Sequence, residues 1–154
     1  MSRGVIVTDL LTKDPILEVI NQYNFNDIEP FTIILVMYES NTRLFELVWD
    51  GTTAHFNEKP LQPTIWSSSL LYTPEAKAKR EKWYSEFLFN HLNPNSDEIL
   101  SFHKNAGDGD STNALIMNRG IVQTKSITQV QKHPEAVQMT YIDLQTNQQS
   151  NTSL

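Results

Sequence analysis

The chain of 154 residues contains no cysteine. That absence excludes disulfides, thiolate metal sites and a cysteine nucleophile together, and it is compatible with a reducing compartment. No apolar run approaches the eighteen or so residues of a membrane helix. The first ten residues, Met1 to Leu10, carry one basic residue and an early acid. They lack the apolar centre and small-residue cleavage site of a signal peptide. Basic residues are in deficit, 12 Lys and Arg against 18 Asp and Glu, for a net charge of -6. Such a surface gains no general attraction to a phosphate backbone, which argues against a nucleic-acid partner. The four histidines, His55, His91, His103 and His133, form no pair at zinc-site spacing. The G-x-S-x-G nucleophile elbow is missing too, and no internal repeat is visible. These absences together give the expectation of a soluble cytoplasmic protein with no transmembrane segment.

The residues that are present describe a globular chain. Hydrophobic residues make up 39% and aromatics 10% of it, enough for one domain with a real core. The clearest landmark runs from Trp66 to Leu92. Three serines, Ser67, Ser68 and Ser69, follow Trp66, and Thr73-Pro74-Glu75 then opens a helix. Threonine is a good N-cap, proline suits the first helical position, and an acid there complements the helix dipole. Trp83, Tyr84, Phe87, Leu88 and Leu92 recur at helical spacing as an apolar face.

Before that landmark, residues 2–12 read as a short helix, with Ser2 as cap and Val7, Leu10 and Leu11 inward. Asp14-Pro15 caps a second helix, whose core face is Ile16, Leu17, Val19 and Ile20. Phe31 to Tyr38 is almost continuously apolar and rich in β-branched residues, which suits a strand covered on both faces. Arg43 to Asp50 alternates as the next strand, Asp50-Gly51 signals a hairpin, and Thr53 to Asn57 returns. After the landmark, Ser96-Asp97-Glu98 caps a short helix with Ile99, Leu100 and Phe102 inward. Asn105 to Ser111 is an acidic, glycine-containing loop. Strands are expected at 114–118, 121–130 and 137–144. The polar tail 145–154 reads as disordered. The order gives an α+β fold, antiparallel sheets with flanking helices, in a single domain over 1–144.

Candidate chemistry is sparse. Asp108-Gly109-Asp110-Ser111 begins like a calcium loop, but the twelfth position is Arg119 where a glutamate is needed. The loop is therefore read as a connection between helix and strand. The serine run could supply a nucleophile or hold an oxyanion near the following helix. Since Thr73 already caps that helix, the serines also suit a turn that satisfies backbone groups. The tryptophans Trp49, Trp66 and Trp83 read first as core, and an apolar pocket would be built from the same residue types.

Three blocks taken together resemble the NRDE family, named for Transport and Golgi organisation 2. They are Ser2-Arg3-Gly4-Val5-Ile6-Val7-Thr8-Asp9-Leu10-Leu11, then Trp66 through Pro74, then Met117-Asn118-Arg119 with Thr124-Lys125-Ser126-Ile127-Thr128. The resemblance implies the C-terminal part of a four-layer αββα fold like that of N-terminal-nucleophile hydrolases. It implies roles in intracellular trafficking or in handling small hydrophobic molecules, with haem and acyl groups as ligand classes. By position it marks Ser67, Ser68, Arg119 and Thr124 as ligand-binding candidates. For haem, His55, His91, His103 and Met117 are the first axial ligands to consider.

The chain departs from the family's pattern in two respects. The family begins with a cysteine after the initiator methionine and carries Asn-Arg-Asp-Glu downstream, and neither occurs here. An N-terminal nucleophile uses its own amine as base, and Met1 can supply neither group. The expectation is a non-catalytic chain that corresponds to the C-terminal part of a family member. The alternative is part of an amide or acyl hydrolase whose catalytic cysteine lies on a missing segment. Loss of sheet strands would expose edges and favour self-association or pairing with that segment.

Overall fold

The computed structural model describes residues 3–38, 40–67 and 72–153; over these it is α+β, with four helices and two antiparallel three-stranded sheets. The chain divides into two compact units, Met1–Thr73 and Pro74–Leu154, where the sequence reading placed one domain. Ser2, Ser68 and Ser69 lie outside the described residues.

In the first unit, helices α1 (Arg3–Leu11) and α2 (Ile16–Gln22) precede a meander of β1 (Phe31–Tyr38), β2 (Thr42–Trp49) and β3 (Ala54–Lys59). The hairpin between β2 and β3 forms as expected. Asp50 Oδ1 accepts from the amides of Thr52 and Thr53, both at 2.7 Å, and Gly51 takes the left-handed φ of 99° that the turn requires. The register sets Phe31 opposite Trp49, Ile33 opposite Leu47 and Leu35 opposite Phe45. Phe56 sits opposite Leu47 from the other side. Because strand side chains alternate, these residues share one face, and Ile6, Leu10 and Ile20 of the helices pack on it. Leu47, at the centre of the middle strand, is 1% exposed.

Aromatic contacts close the end of this core. The Phe25 ring lies 5.4 Å from that of Trp49 and 5.9 Å from that of Phe31. The Trp49 indole N–H donates to the Ile28 carbonyl at 2.9 Å, so its one polar atom is satisfied. Tyr23 O–H donates to Asp9 Oδ2 at 2.7 Å, which ties the end of α2 to α1. Burial, and then the bond to Asp9, push the Tyr23 phenol up to about 12.

Three expectations in this unit need correction. Ile6 and Leu10 point inward on α1, while Val7 and Leu11 are exposed. Each residue turns about 100° from the last, so a nine-residue helix on a flat sheet buries a narrow i, i+4 stripe. The N-cap position of α2 is Pro15, with no side-chain cap bond, so Asp14 is not the cap. Finally, β1 is an edge strand with one neighbour, and beyond Phe31 its residues are only half-buried or exposed. Its apolar run is therefore half-covered and not buried on both faces.

In the second unit, α3 (Pro74–Asn90) begins at the proline read as its first residue, and α4 (Ser96–Asn105) follows. The sheet is β4 (Ser126–Lys132), β5 (Val137–Asp143) and β6 (Gln149–Ser153), in that order. The cap of α4 is Asn95, not Ser96. Its side chain accepts from the amides of Asp97 and Glu98, while Glu98 accepts from the Asn95 amide in return. Tyr84, Phe87 and Phe102 form an aromatic cluster between the helices, with Phe87 and Phe102 centred 4.8 Å apart.

The buried face of α3 runs through Ala76 and Arg80, and Leu92 beyond its end is 87% exposed. Residues 114–118 form no strand; Asn118 makes only a single bridge to Gln123. The tail, read as disordered, contains β6, which pairs with β5 from Gln149–Ile142 to Ser153–Gln138. A tight turn feeds it. Asp143 Oδ1 accepts from the amides of Gln145 and Thr146, and Asn147 takes a left-handed φ of 56°. All five residues of β6 are exposed, so backbone pairing holds it and no apolar pattern marks it.

Leu47→Ala is expected to destabilise the first unit by about 2–5 kcal/mol, read as a shift of the urea midpoint followed by Trp49 emission. Val36→Ala on the outer strand should cost well under half of that. Equal effects would show that the core is not centred on β2.

Candidate functional site

The first unit holds an open groove of about 460 Å³ along the free side of β1. Its walls are Gly4 and Val7 of α1, Phe31 to Ile34 of β1, and Trp66 with Ser67. Two of the segments that carry the family resemblance therefore meet here, the start of α1 and the start of the serine run. The outward turn of Val7 has a consequence: this side chain leaves the core and becomes groove wall.

Glu46 fixes the far wall. It projects from the central strand on the face opposite the helices, across from Ile34. The Trp66 indole N–H donates to Glu46 Oε1 at 2.9 Å, and Lys59 Nζ lies 2.9 Å from Oε2. The Glu46 side chain is 19% exposed, so these two partners meet most of its hydrogen-bonding demand. Glu46 was not a sequence candidate. The only signal for it was a lone acid within the apolar run Leu44 to Trp49.

None of the described lining residues titrates. General acid–base chemistry needs such a group within hydrogen-bond reach. The groove offers apolar walls, two hydroxyls from Thr32 and Ser67, and an indole edge. It can bind an apolar molecule and orient a polar end of it.

The remaining sequence candidates lie elsewhere. Ser68 falls outside the described residues. Thr124 and Arg119 belong to the second unit and serve its loop. Thr124 Oγ1 accepts from the Met117 amide at 2.9 Å and donates to the Leu115 carbonyl at 3.2 Å. Arg119 Nε donates to the Thr112 carbonyl at 2.9 Å, and the Arg119 amide donates to Val122, with Gly120 in the turn at φ 77°. Both side chains brace the 112–124 loop.

The acidic loop is braced in the same way. Lys79 Nζ lies 2.7 Å from Asp108 Oδ2, and Asp110 caps Thr112 and Asn113. Asp108 is held below the usual carboxylate range chiefly by Lys79, and Asp110 chiefly by the Thr112 hydroxyl. Among the described residues, no group of three or more His, Asp or Glu is placed to share a metal ion.

The residues considered for haem are distributed over both units. His55 belongs to the first unit, where its Nε2 lies 3.1 Å from Asp50 Oδ2. In the second unit, His91 and His103 each turn Nδ1 onto the carbonyl four residues earlier, Phe87 at 3.0 Å and Ile99 at 2.9 Å. Met117 is buried at 3% exposure. None of the four lines the β1 groove.

No model of a protein family, no curated protein and no solved structure matches this chain. Among the described residues, no helix is long and apolar enough to cross a membrane.

Removing the Glu46 carboxylate should free Trp66. In Glu46→Ala, Trp66 emission is expected to shift to longer wavelength and become more open to acrylamide quenching, with the unit losing about 1 kcal/mol. Glu46→Gln keeps an acceptor for the indole and should fall between wild type and Ala. A Trp49→Phe, Trp83→Phe background leaves Trp66 as the sole tryptophan, and an unchanged spectrum in Glu46→Ala would rule out this anchoring role.

Proposed function

We propose that the chain is an NRDE-type, non-catalytic protein whose first unit binds a small apolar molecule, an acyl chain, in the β1 groove. One observation carries this reading: Gly4 and Val7, Phe31 to Ile34, and Trp66 with Ser67 converge on one groove with no charged residue in its described lining. Its volume lies within the roughly 300–1,000 Å³ of small-molecule sites. The apolar walls favour a hydrocarbon, and the hydroxyls of Thr32 and Ser67 can hold a carbonyl or carboxylate end. Each buried methylene contributes about 0.8 kcal/mol. Covering about eight of them gives roughly 6 kcal/mol before the cost of association. That supports reversible binding rather than permanent capture. The family-like four-layer architecture and a role in trafficking follow from the resemblance and belong to the same proposal.

The test is a titration with parinaric acid, a fluorescent fatty acid that accepts energy from tryptophan. Saturable binding with quenching of Trp66 is expected. Val7→Trp fills the groove from the exposed side of α1 and should weaken binding about tenfold or more, with the circular dichroism spectrum unchanged. Equal affinity in wild type and Val7→Trp, or no saturable binding, would overturn the reading.

A second reading, which excludes the first because it occupies the same side of β1, is self-association. The outer edge of β1 presents Phe-Thr-Ile-Ile-Leu-Val-Met-Tyr, with no charge and no proline across eight residues. Unguarded edges of this kind pair with other strands. Two copies of β1 running antiparallel would set no like charges opposite each other, which removes the usual penalty on identical strands. Wild type should therefore show concentration-dependent association in sedimentation velocity. Val36→Lys, at a half-open position of the edge, should shift it towards monomer. A wild type that stays monomeric at every concentration would reject this pairing.

A further inference from the structure

A second cleft of the first unit, of about 330 Å³, opens between the end of α2, the loop that follows it and β3. It shares no lining residue with the β1 groove. The segment Gln22-Tyr23-Asn24-Phe25-Asn26 alternates amide and aromatic side chains. Phe25 is buried and Tyr23 half-buried, so Asn24 and Asn26 are left exposed at the mouth. Asn21, in the last turn of α2, and Thr52, between β2 and β3, are exposed beside them. The Phe25 ring is centred 5.0 Å from Tyr23 and 5.4 Å from Trp49, and half-buried Phe56 continues the apolar floor. The cleft is thus an aromatic floor within a rim of three carboxamides and a hydroxyl.

The rim is largely unspent. Asn24 Oδ1 accepts from the Asn26 amide at 3.0 Å, which shapes the loop. The Asn24 NH2 group, the side chains of Asn21 and Asn26, and the Thr52 hydroxyl make no hydrogen bond among the described residues. These groups select a ligand by three steps. No charged residue belongs to the described lining, so an ion would shed its hydration there without a counter-charge. A hydrocarbon would cover the carboxamides without meeting them. Each carboxamide sets a donor beside an acceptor, which complements two adjacent hydroxyls. The ligand that meets floor and rim together has apolar faces and a perimeter of hydroxyls. A pyranose ring with equatorial hydroxyls has that form, since its C–H bonds make the faces. The volume is at the small end of the roughly 300–1,000 Å³ of small-molecule sites, which suits one or two such rings. We propose that this cleft binds a neutral carbohydrate of equatorial pyranose rings, seated on Tyr23 and Phe56 and held at its hydroxyls by Asn21, Asn24 and Asn26. The site does not rest on the acyl reading, since it uses other residues and other chemistry.

The test is a titration of the isotope-labelled full chain with cellobiose, followed by the side-chain amide resonances of its asparagines. Saturable shifts of Asn21, Asn24 and Asn26 are expected, with a Kd at or below about 10 mM. Asn24→Asp keeps the oxygen that the Asn26 amide needs and removes the donor. It should weaken binding about tenfold while circular dichroism stays unchanged. Val7→Trp, which fills the β1 groove, should leave cellobiose binding as it is, so the two sites fail separately. No saturable shift up to that concentration, or equal affinity in wild type and Asn24→Asp, would overturn the proposal. So would tighter binding of adenosine, since a flat aromatic ring would then be the better occupant.

Discussion

In an antiparallel sheet of three strands, one strand has its backbone paired on both sides and two have it paired on one. Every unpaired amide and carbonyl must find water, a side chain or another strand. Both sheets here face this demand, and each treats its two edges unequally. In the first unit, β3 is guarded by His55, Asn57, Glu58 and Lys59. Arg43 holds Glu58 through two bonds, at 2.9 and 2.7 Å, and Lys59 reaches Glu46. Edge β1 carries no charge at all. In the second unit, β6 is wholly polar and exposed, while β4 lies beside a helix. The β1 groove lies on the less guarded edge of its sheet. Charges and polar side chains blunt the other edge, as edge strands generally require.

Both units also use a charged side chain at a position that composition alone would make apolar. Glu46 takes Trp66 and Lys59 on the open face of the central strand. Arg80 is 5% exposed on the inner face of α3; its Nε donates to the Asn113 carbonyl at 3.2 Å and its Nη2 to the Ala114 carbonyl at 2.6 Å. Burying a guanidinium costs several kcal/mol unless its donors are met. Here they meet carbonyls of a loop that lacks regular pairing, and the rigid fork of arginine suits two successive acceptors. Lys79, one residue earlier, reaches Asp108 in the same loop. One turn of α3 thus holds the segment that Thr124 and Arg119 brace from the other end.

The residues made some of this legible. The three strands of the first meander, the Asp50-Gly51 turn and the start of α3 at Pro74 follow from local chemistry, and the structure has them where the pattern puts them. What escaped lacks a local signal. β6 is polar throughout, so only its pairing with β5 defines it. The apolar run of β1 reads the same whether two layers cover the strand or its edge is open, because hydrophobicity records removal from water and not what removes it. The inward stripe of α1 depends on how a flat sheet meets a short helix, and that settled Ile6 and Leu10 over Val7 and Leu11. Arg80 was hidden because arginine usually marks a wet face. Of the four candidate site residues, Ser67 lines a groove and Thr124 and Arg119 brace a loop, a difference that spacing along the chain does not carry.

The chemistry of the β1 groove also bears on the two readings that the resemblance leaves open. A hydrolase site needs a nucleophile, a base within reach of it and donors where charge develops. Among the described residues, the groove's lining has hydroxyls from Thr32 and Ser67 and no histidine, carboxylate or amine. The apolar walls favour the burial of hydrocarbon. The outward Val7, the uncharged strand β1 and the anchoring of Trp66 by Glu46 together shape walls on which an apolar molecule can lie.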